Sequence, residues 1–207
     1  MHKVINCLKE KNNLIKDHVL RRVSVEEGEE IAAILFDILS TRKDGIGLAA
    51  NQVGINAQVA VVNVREPIML INPVILSKSK RIHFYEGCLS FPKVGCHTDR
   101  WETVTVETAQ EEGSLTFSGV EMFEEWENNT KDSKQERHQR VLEAVCVQHE
   151  IDHLYGCTIY DRRRDTTVRV EKKIGRNNLV TIKKDDAVKV LKYKKVKNLL
   201  NNGWVLQ

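Results

Sequence analysis

At 207 residues with 41% hydrophobic content, the chain can bury a sizeable core as one domain or as one domain with an appendage. No apolar run approaches the roughly 18 to 20 residues that span a bilayer, and no signal-peptide pattern opens the sequence, which excludes a membrane-spanning or secreted reading and predicts a cytosolic address. The net charge of +3 is uneven: from Asp161 to Asn198 there are 14 Lys plus Arg against 5 Asp plus Glu, a local +9, so the remainder carries −6.

In chain order, Ser24 with Glu27 makes a capping box, and Ile31, Ile34, Leu35, Ile38 and Leu39 follow at helical spacing, predicting a helix from Val25 to Ser40. The glycine-rich stretch "DGIGLAANQVG" (44–54) comes next. Its "GIGLAA" fits the dinucleotide-binding pattern G-x-G-x-x-A superficially, but such a loop must follow a strand, and this one follows a helix. The runs "AQVAVVNV" (57–64), "IMLINPVI" (68–75), "RIHFYEG" (81–87) and "ETVTVET" (102–108) read as strands between turn residues.

Residues 124–139 are highly charged, have no sustained apolar face and predict a surface loop or frayed helix, inserted before a helix from Arg140 to Leu154. Gly156 supplies that helix's stop. In the basic tail, "LVTI" and "AVKVLKYKKV" are expected to pair as a hairpin before a short helix at 196–201. The five cysteines (7, 88, 96, 146 and 157) are odd in number and irregularly spaced, which argues for free or metal-bound thiols over a disulfide framework.

The strongest chemical signal lies in "QHEIDHLYG". His149 and His153, four residues apart, project from one helix face and can grip one metal, and Glu150 beside them can handle a water proton. A catalytic centre of this kind needs a third protein ligand and an open position. A third His six residues on is excluded, because that position is Ile159. Glu171 lies in a basic run with no clear partner helix, and Cys88 in "EGCLS" follows a β-like run where a thiolate is sterically free. His2, His18, His83, His97 and His138 have no partner at ligand spacing.

The segments "GIGLAANQ" (45–52), "EGCLS" (86–90) and "QHEIDHL" (148–154) resemble, in order, the three motifs of the peptide deformylase family. That resemblance implies an α+β fold, with antiparallel strands packed around the histidine-bearing helix, and removal of the formyl group from N-terminal formylmethionine. It implies Cys88, His149 and His153 as ligands of one divalent metal, iron(II) preferred with zinc or nickel possible. Glu150 becomes the general base, and the Gln52 amide and the Leu89 backbone N–H stabilise the oxyanion. By the same resemblance Ile46, Leu89, Leu142, Val145 and Cys146 match an apolar pocket for the methionine side chain, and Gly47 bonds the peptide backbone. Glu86 with Arg100 would form an ion pair behind Cys88.

The likeness runs from about Leu20 to Asp161 and departs from the family in the charged stretch 124–139 and in the tail. This divides the chain into a catalytic domain, 1–161, and a basic β-like extension, 162–207. The expected partners are N-formylmethionyl polypeptides and, through the tail, the phosphate-rich surface of the ribosome, with no membrane and a monomeric state. Two other classes stay open: a zinc metallopeptidase using Glu171 as ligand, and a non-catalytic module holding its metal structurally.

Overall fold

Ser24 opens helix α1, Val25–Ser40, its hydroxyl accepting from Glu27 N at 3.2 Å, in the computed structural model, which describes residues 3–7, 20–119, 131–164, 179–184, 187–196, 199 and 205–206. The chain divides into two compact units, Met1–Arg164 and Asp165–Gln207. In the first, α1 buries Ile31, Ala32, Leu35 and Leu39 against Leu48, Val59 and Val61. Strands β1 (Gly47–Ala49), β2 (Val59–Asn63) and β3 (Pro67–Ile71) form an antiparallel sheet with β2 in the middle. Val59 and Val61 belong to the core on the α1 side, while Ala60 and Val62 belong to the core beneath the second long helix. Covering on both faces explains why the run is apolar at successive positions instead of alternating.

A second antiparallel sheet has the order β4 (Val74–Gly87), β5 (Gly95–Glu107), β6 (Ser114–Ser118). The stretch 68–75, expected as one strand, is two: Asn72 adopts a positive φ of 50°, its side chain bonds both the N–H and C=O of Val23, and Pro73 cannot donate to a ladder. Strand β6 was not anticipated; it is fixed by five paired positions on β5 and a 2.8 Å hydroxyl contact between Thr103 and Ser118.

Helix α2, Lys131–Leu154, packs against β1, β2, β5 and β6. It begins nine residues before the expected Arg140, so of the two readings of 124–139, surface loop or frayed helix, residues 131–139 take the helix. Lys, Gln, Glu and Arg are good helix formers without an apolar face, and Arg140 closes an i,i+4 pair with Glu136 at 2.9 Å. Residues 124–130 lie outside the described residues. The helix ends before Gly156, whose φ of +74° no β-carbon favours. A short helix α3, Ile159–Arg162, follows, and Arg164 N donates to His97 O at 3.0 Å, still within the first unit.

In the second unit, β7 (Leu179–Lys184) and β8 (Ala187–Lys192) form the expected hairpin, and β9 (Val205–Leu206) pairs on the other side of β7. Ile182 and Val196 are buried. A 3-10 turn at Tyr193–Lys195 precedes the place where a helix was expected, most of which lies outside the described residues. The mixture of helices and antiparallel strands is the α+β class read from the resemblance. Among the described residues no helix is long and apolar enough to cross a membrane.

Candidate metal centre and active site

Helical spacing puts His149 and His153 on one face of α2, with their Nε2 atoms 3.1 Å apart, and the end of β4 delivers Cys88 so that its Sγ lies 3.3 Å from His153 Nε2. The three donor atoms all lie within 4.8 Å of one another. Each imidazole is oriented from behind: His149 Nδ1 meets Glu86 Oε2 at 2.7 Å, and His153 Nδ1 meets the Cys157 carbonyl at 3.1 Å. Both rear partners are acceptors, so in the neutral imidazoles, the form that binds a metal, both Nδ1 atoms carry the proton and both Nε2 lone pairs face inward. Two imidazole nitrogens and a thiol sulfur thus converge on one point. The donor set therefore fits a divalent metal.

Electrostatics agree. Burial alone would raise the Glu86 carboxyl, but hydrogen bonds from His149 and Arg100 together with their charge hold it at about 2. Arg100, itself buried, donates Nε to Glu86 Oε1 at 2.6 Å and Nη2 to Oε2 at 3.0 Å, and Thr98 Oγ1 donates to Glu86 as well. The Glu86–Arg100 pair, expected behind Cys88, stands instead behind His149. Arg100 Nη1 also donates to Asp152, which Arg162 clamps from the other side at 2.6 Å. Burial opposes charge on His149, yet contacts with Cys88 and Glu86 push its pKa well above the ordinary value. The site draws positive charge.

Glu150 is buried, and its Oε2 has no hydrogen-bond partner among the described residues. Burial, the largest cause, raises its pKa to about 7 against the pull of His149. Gly47 forms the wall beside it: a Cβ there would overlap the Glu150 carboxylate and the Cys146 sulfur. Gln52, on the 3-10 turn Ala50–Val53, accepts from Ala49 N at 2.8 Å through Oε1 and donates through Nε2 to Ser90 Oγ at 3.1 Å. The same Nε2 lies 3.7 Å from Cys88 Sγ, so the amide sits at the edge of the donor cluster.

These groups open onto a cavity of about 540 Å³, within the range of small-molecule sites. Ile46, Gly47, Leu89, Leu142, Val145 and Cys146 all line it, as do Gln52, Glu86, Cys88, His149 and Glu150. Burial raises the Cys146 thiol well above its usual range, leaving it neutral and in keeping with an apolar wall. Arg42, Asp44, Tyr85, Phe91 and Lys93 line the cavity as well.

Sequence reasoning missed Ser90, Thr98, Asp152 and Arg162, which hold Gln52, Glu86 and Arg100 in place. Ser90 and Asp152 lie inside the quoted motifs, and that adjacency was the available signal. Of the other histidines, His83 pairs with Asp99 at 2.6 Å, His97 meets Tyr85 edge-on and His138 stacks on Phe84. His2, His18 and the alternative ligand Glu171 lie outside the described residues.

Compared with known proteins, residues 6–169 match the family model described as polypeptide deformylase. The peptide deformylase of Pseudoalteromonas translucida (strain TAC 125) is 36% identical over 154 residues, covering 70% of this chain and 81% of that one. That of Desulfitobacterium hafniense (strain DSM 10664 / DCB-2) is 36% identical over 161 residues, covering 75% and 95%. Among solved structures, the peptide deformylase from Thermotoga maritima aligns with a TM-score of 0.59 at 26% identity over 79% of this chain and 98% of that one. A peptide deformylase from Synechococcus elongatus, in complex with actinonin, gives 0.60 at 29% identity over 80% of each.

Proposed function

The chain belongs to the polypeptide deformylase family, enzymes that remove the N-formyl group of newly made polypeptides, and on that premise we propose how its residues divide the work. Cys88, His149 and His153 would hold one divalent cation, which would supply Lewis acidity to the formyl carbonyl and acidify water. The apolar walls at Ile46, Leu89, Leu142, Val145 and Cys146 take the methionine side chain, and Gly47 offers its backbone to the peptide. Gln52 gives one amide hydrogen to Ser90 and turns the other toward Cys88 Sγ at 3.7 Å; we assign that second hydrogen to the formyl oxygen when substrate enters, with the Leu89 N–H as second donor. Glu150 takes a proton from the attacking water and returns it to the amine nitrogen as the C–N bond breaks. Formate and a free α-amino group leave.

The observation that carries this reading is the convergence of the donor cluster, the Gln52 amide and the partnerless Glu150 carboxylate oxygen at one apolar cavity. Two imidazoles and one thiolate suit zinc on ligand softness, whereas the resemblance to deformylases favours iron(II), which we take as the working metal. Formate release from formyl-Met-Ala should be abolished by chelation, and protein purified without oxygen should be far more active than protein purified in air. Equal activity in air would overturn iron(II), and cleavage of internal peptide bonds without formate release would favour a metallopeptidase.

We place this activity in the cytoplasm and assign the second unit a docking role. Lys192 at the end of β8 and Lys194 and Lys195 in the turn after it are exposed, within the +9 segment, a charge that suits the RNA phosphates of the ribosome where the substrates emerge. The triple variant Lys192→Glu, Lys194→Glu, Lys195→Glu should hydrolyse formyl-Met-Ala like the parent while sedimenting less with ribosomes. Parent binding should fall steeply between roughly 50 and 200 mM salt. Undiminished binding by the variant, or none by the parent, would rule the docking role out.

A further inference from the structure

We propose that Asn51 is a positioning residue, which sets Gln52 against the reacting atoms by tying its turn to the end of the metal-binding helix; the proposal rests on the role given to Gln52 above. Asn51 Nδ2 donates to the main-chain carbonyl of His153 at 2.7 Å, across 102 residues of sequence, and both residues are buried. That carbonyl belongs to the last turn of α2, where helix carbonyls lack intrahelical partners; Gly156 N reaches it as well, at 3.1 Å. The bond therefore joins the residue next to Gln52 to the backbone of a metal ligand.

The remaining contacts of Gln52 fix other degrees of freedom. Ala49 N, Ser90 Oγ and Cys88 Sγ set the rotation of its amide, and its main-chain carbonyl accepts from Ile5 N at 2.8 Å. They hold Gln52 against its own turn, the Cys88 loop and the N-terminal segment. Asn51 holds that turn against the helix. A second observation separates this role from space filling: Asn51 Oδ1 is buried with no hydrogen-bond partner among the described residues. Burying an orphaned carbonyl oxygen is costly, and an apolar side chain of the same size would avoid that cost. The N–H bond is what the asparagine provides in exchange.

Displacement of a positioned group by about 1 Å can cost on the order of 10²-fold in rate. Asn51→Leu, close in shape and unable to donate, should lower kcat on formyl-Met-Ala about 10- to 100-fold while KM stays within about threefold. Metal content should not change. The discriminating measurement is a double-mutant cycle with Gln52→Ala: once the amide is gone Asn51 has nothing to position, so the double variant should match Gln52→Ala within about twofold.

An independent readout uses metal-free protein labelled with ¹⁵N-glutamine. The Gln52 side-chain amide should give a slowly exchanging pair of signals in the parent and a broadened or fast-exchanging pair in Asn51→Leu. Multiplicative losses in the cycle, or an unaltered amide pair, would overturn the positioning role while leaving Gln52 in place. Gln52→Ala within about tenfold of the parent would instead remove the reading beneath it, visible in the single variant alone. If Asn51→Leu fails to fold, Asn51→Ala removes the same N–H and enters the same cycle.

Discussion

Glu150→Gln is expected to lower formyl-Met-Ala turnover about 10²- to 10⁴-fold, the usual contribution of a positioned acid–base group, with metal content unchanged. The substitution preserves shape and one acceptor oxygen, so His149 and His153 on the same helix keep their places. What it removes is basicity. In the parent, burial lifts the Glu150 carboxyl to about 7, and its Oε2 is without a partner among the described residues. A bound cation favours the ionised form and moves the pKa below that value. The rate should therefore fall on the acid side of neutrality as Glu150 takes up the proton it must receive from water, and this acid limb should vanish in the variant. Formate release across pH, with metal measured by mass spectrometry, reads both effects. Turnover within about tenfold of the parent would show that another group accepts the proton.

Much of the fold near the site was legible in the sequence, because the residues that matter there act through local periodicity. The Ser24 cap and the apolar spacing of α1 gave a helix whose ends match the structure at Val25 and Ser40. The His149 and His153 pair was legible for the same reason: spacing of four is a local property of a helix. What was not legible is pairing across long sequence distances. Asn51 reaches His153, Arg100 reaches Asp152 over 52 residues, and neither partner carries a pattern that names the other. Residues 131–139, helical in the structure, carry no amphipathic pattern in the sequence. A helix stretch that meets water on most sides has no apolar face to detect.

The ion pair behind the candidate metal centre makes the largest stability prediction. A buried ion pair adds little net stability, because desolvation offsets its attraction, but removing one partner leaves an uncompensated charge and costs about 3 to 5 kcal/mol. Arg100→Met should destabilise the fold by that amount, since Arg100 is only 2% exposed and gives two hydrogen bonds to Glu86 and one to Asp152. Asp152 retains Arg162, so the loss concentrates on Glu86. In the parent the Glu86 pKa is held at about 2, below its ordinary 4.5. Its stabilising contribution is therefore complete above 4.5 and is lost as pH falls toward 2. Without Arg100 the folded-state pKa rises, and that contribution shrinks at every pH above it. Protonated Glu86 is a weaker acceptor for the His149 Nδ1 proton, so metal affinity should drop about 10- to 100-fold. Urea unfolding between neutral and mildly acidic pH, with metal titration alongside, measures the two losses. Arg100→Lys, which keeps the charge but not the fork geometry, should fall between parent and Met variant in both. If Arg100→Met unfolds within about 1 kcal/mol of the parent and binds metal as tightly, then Thr98 and His149 suffice to hold Glu86, and the guanidinium is not what anchors the ligand from behind.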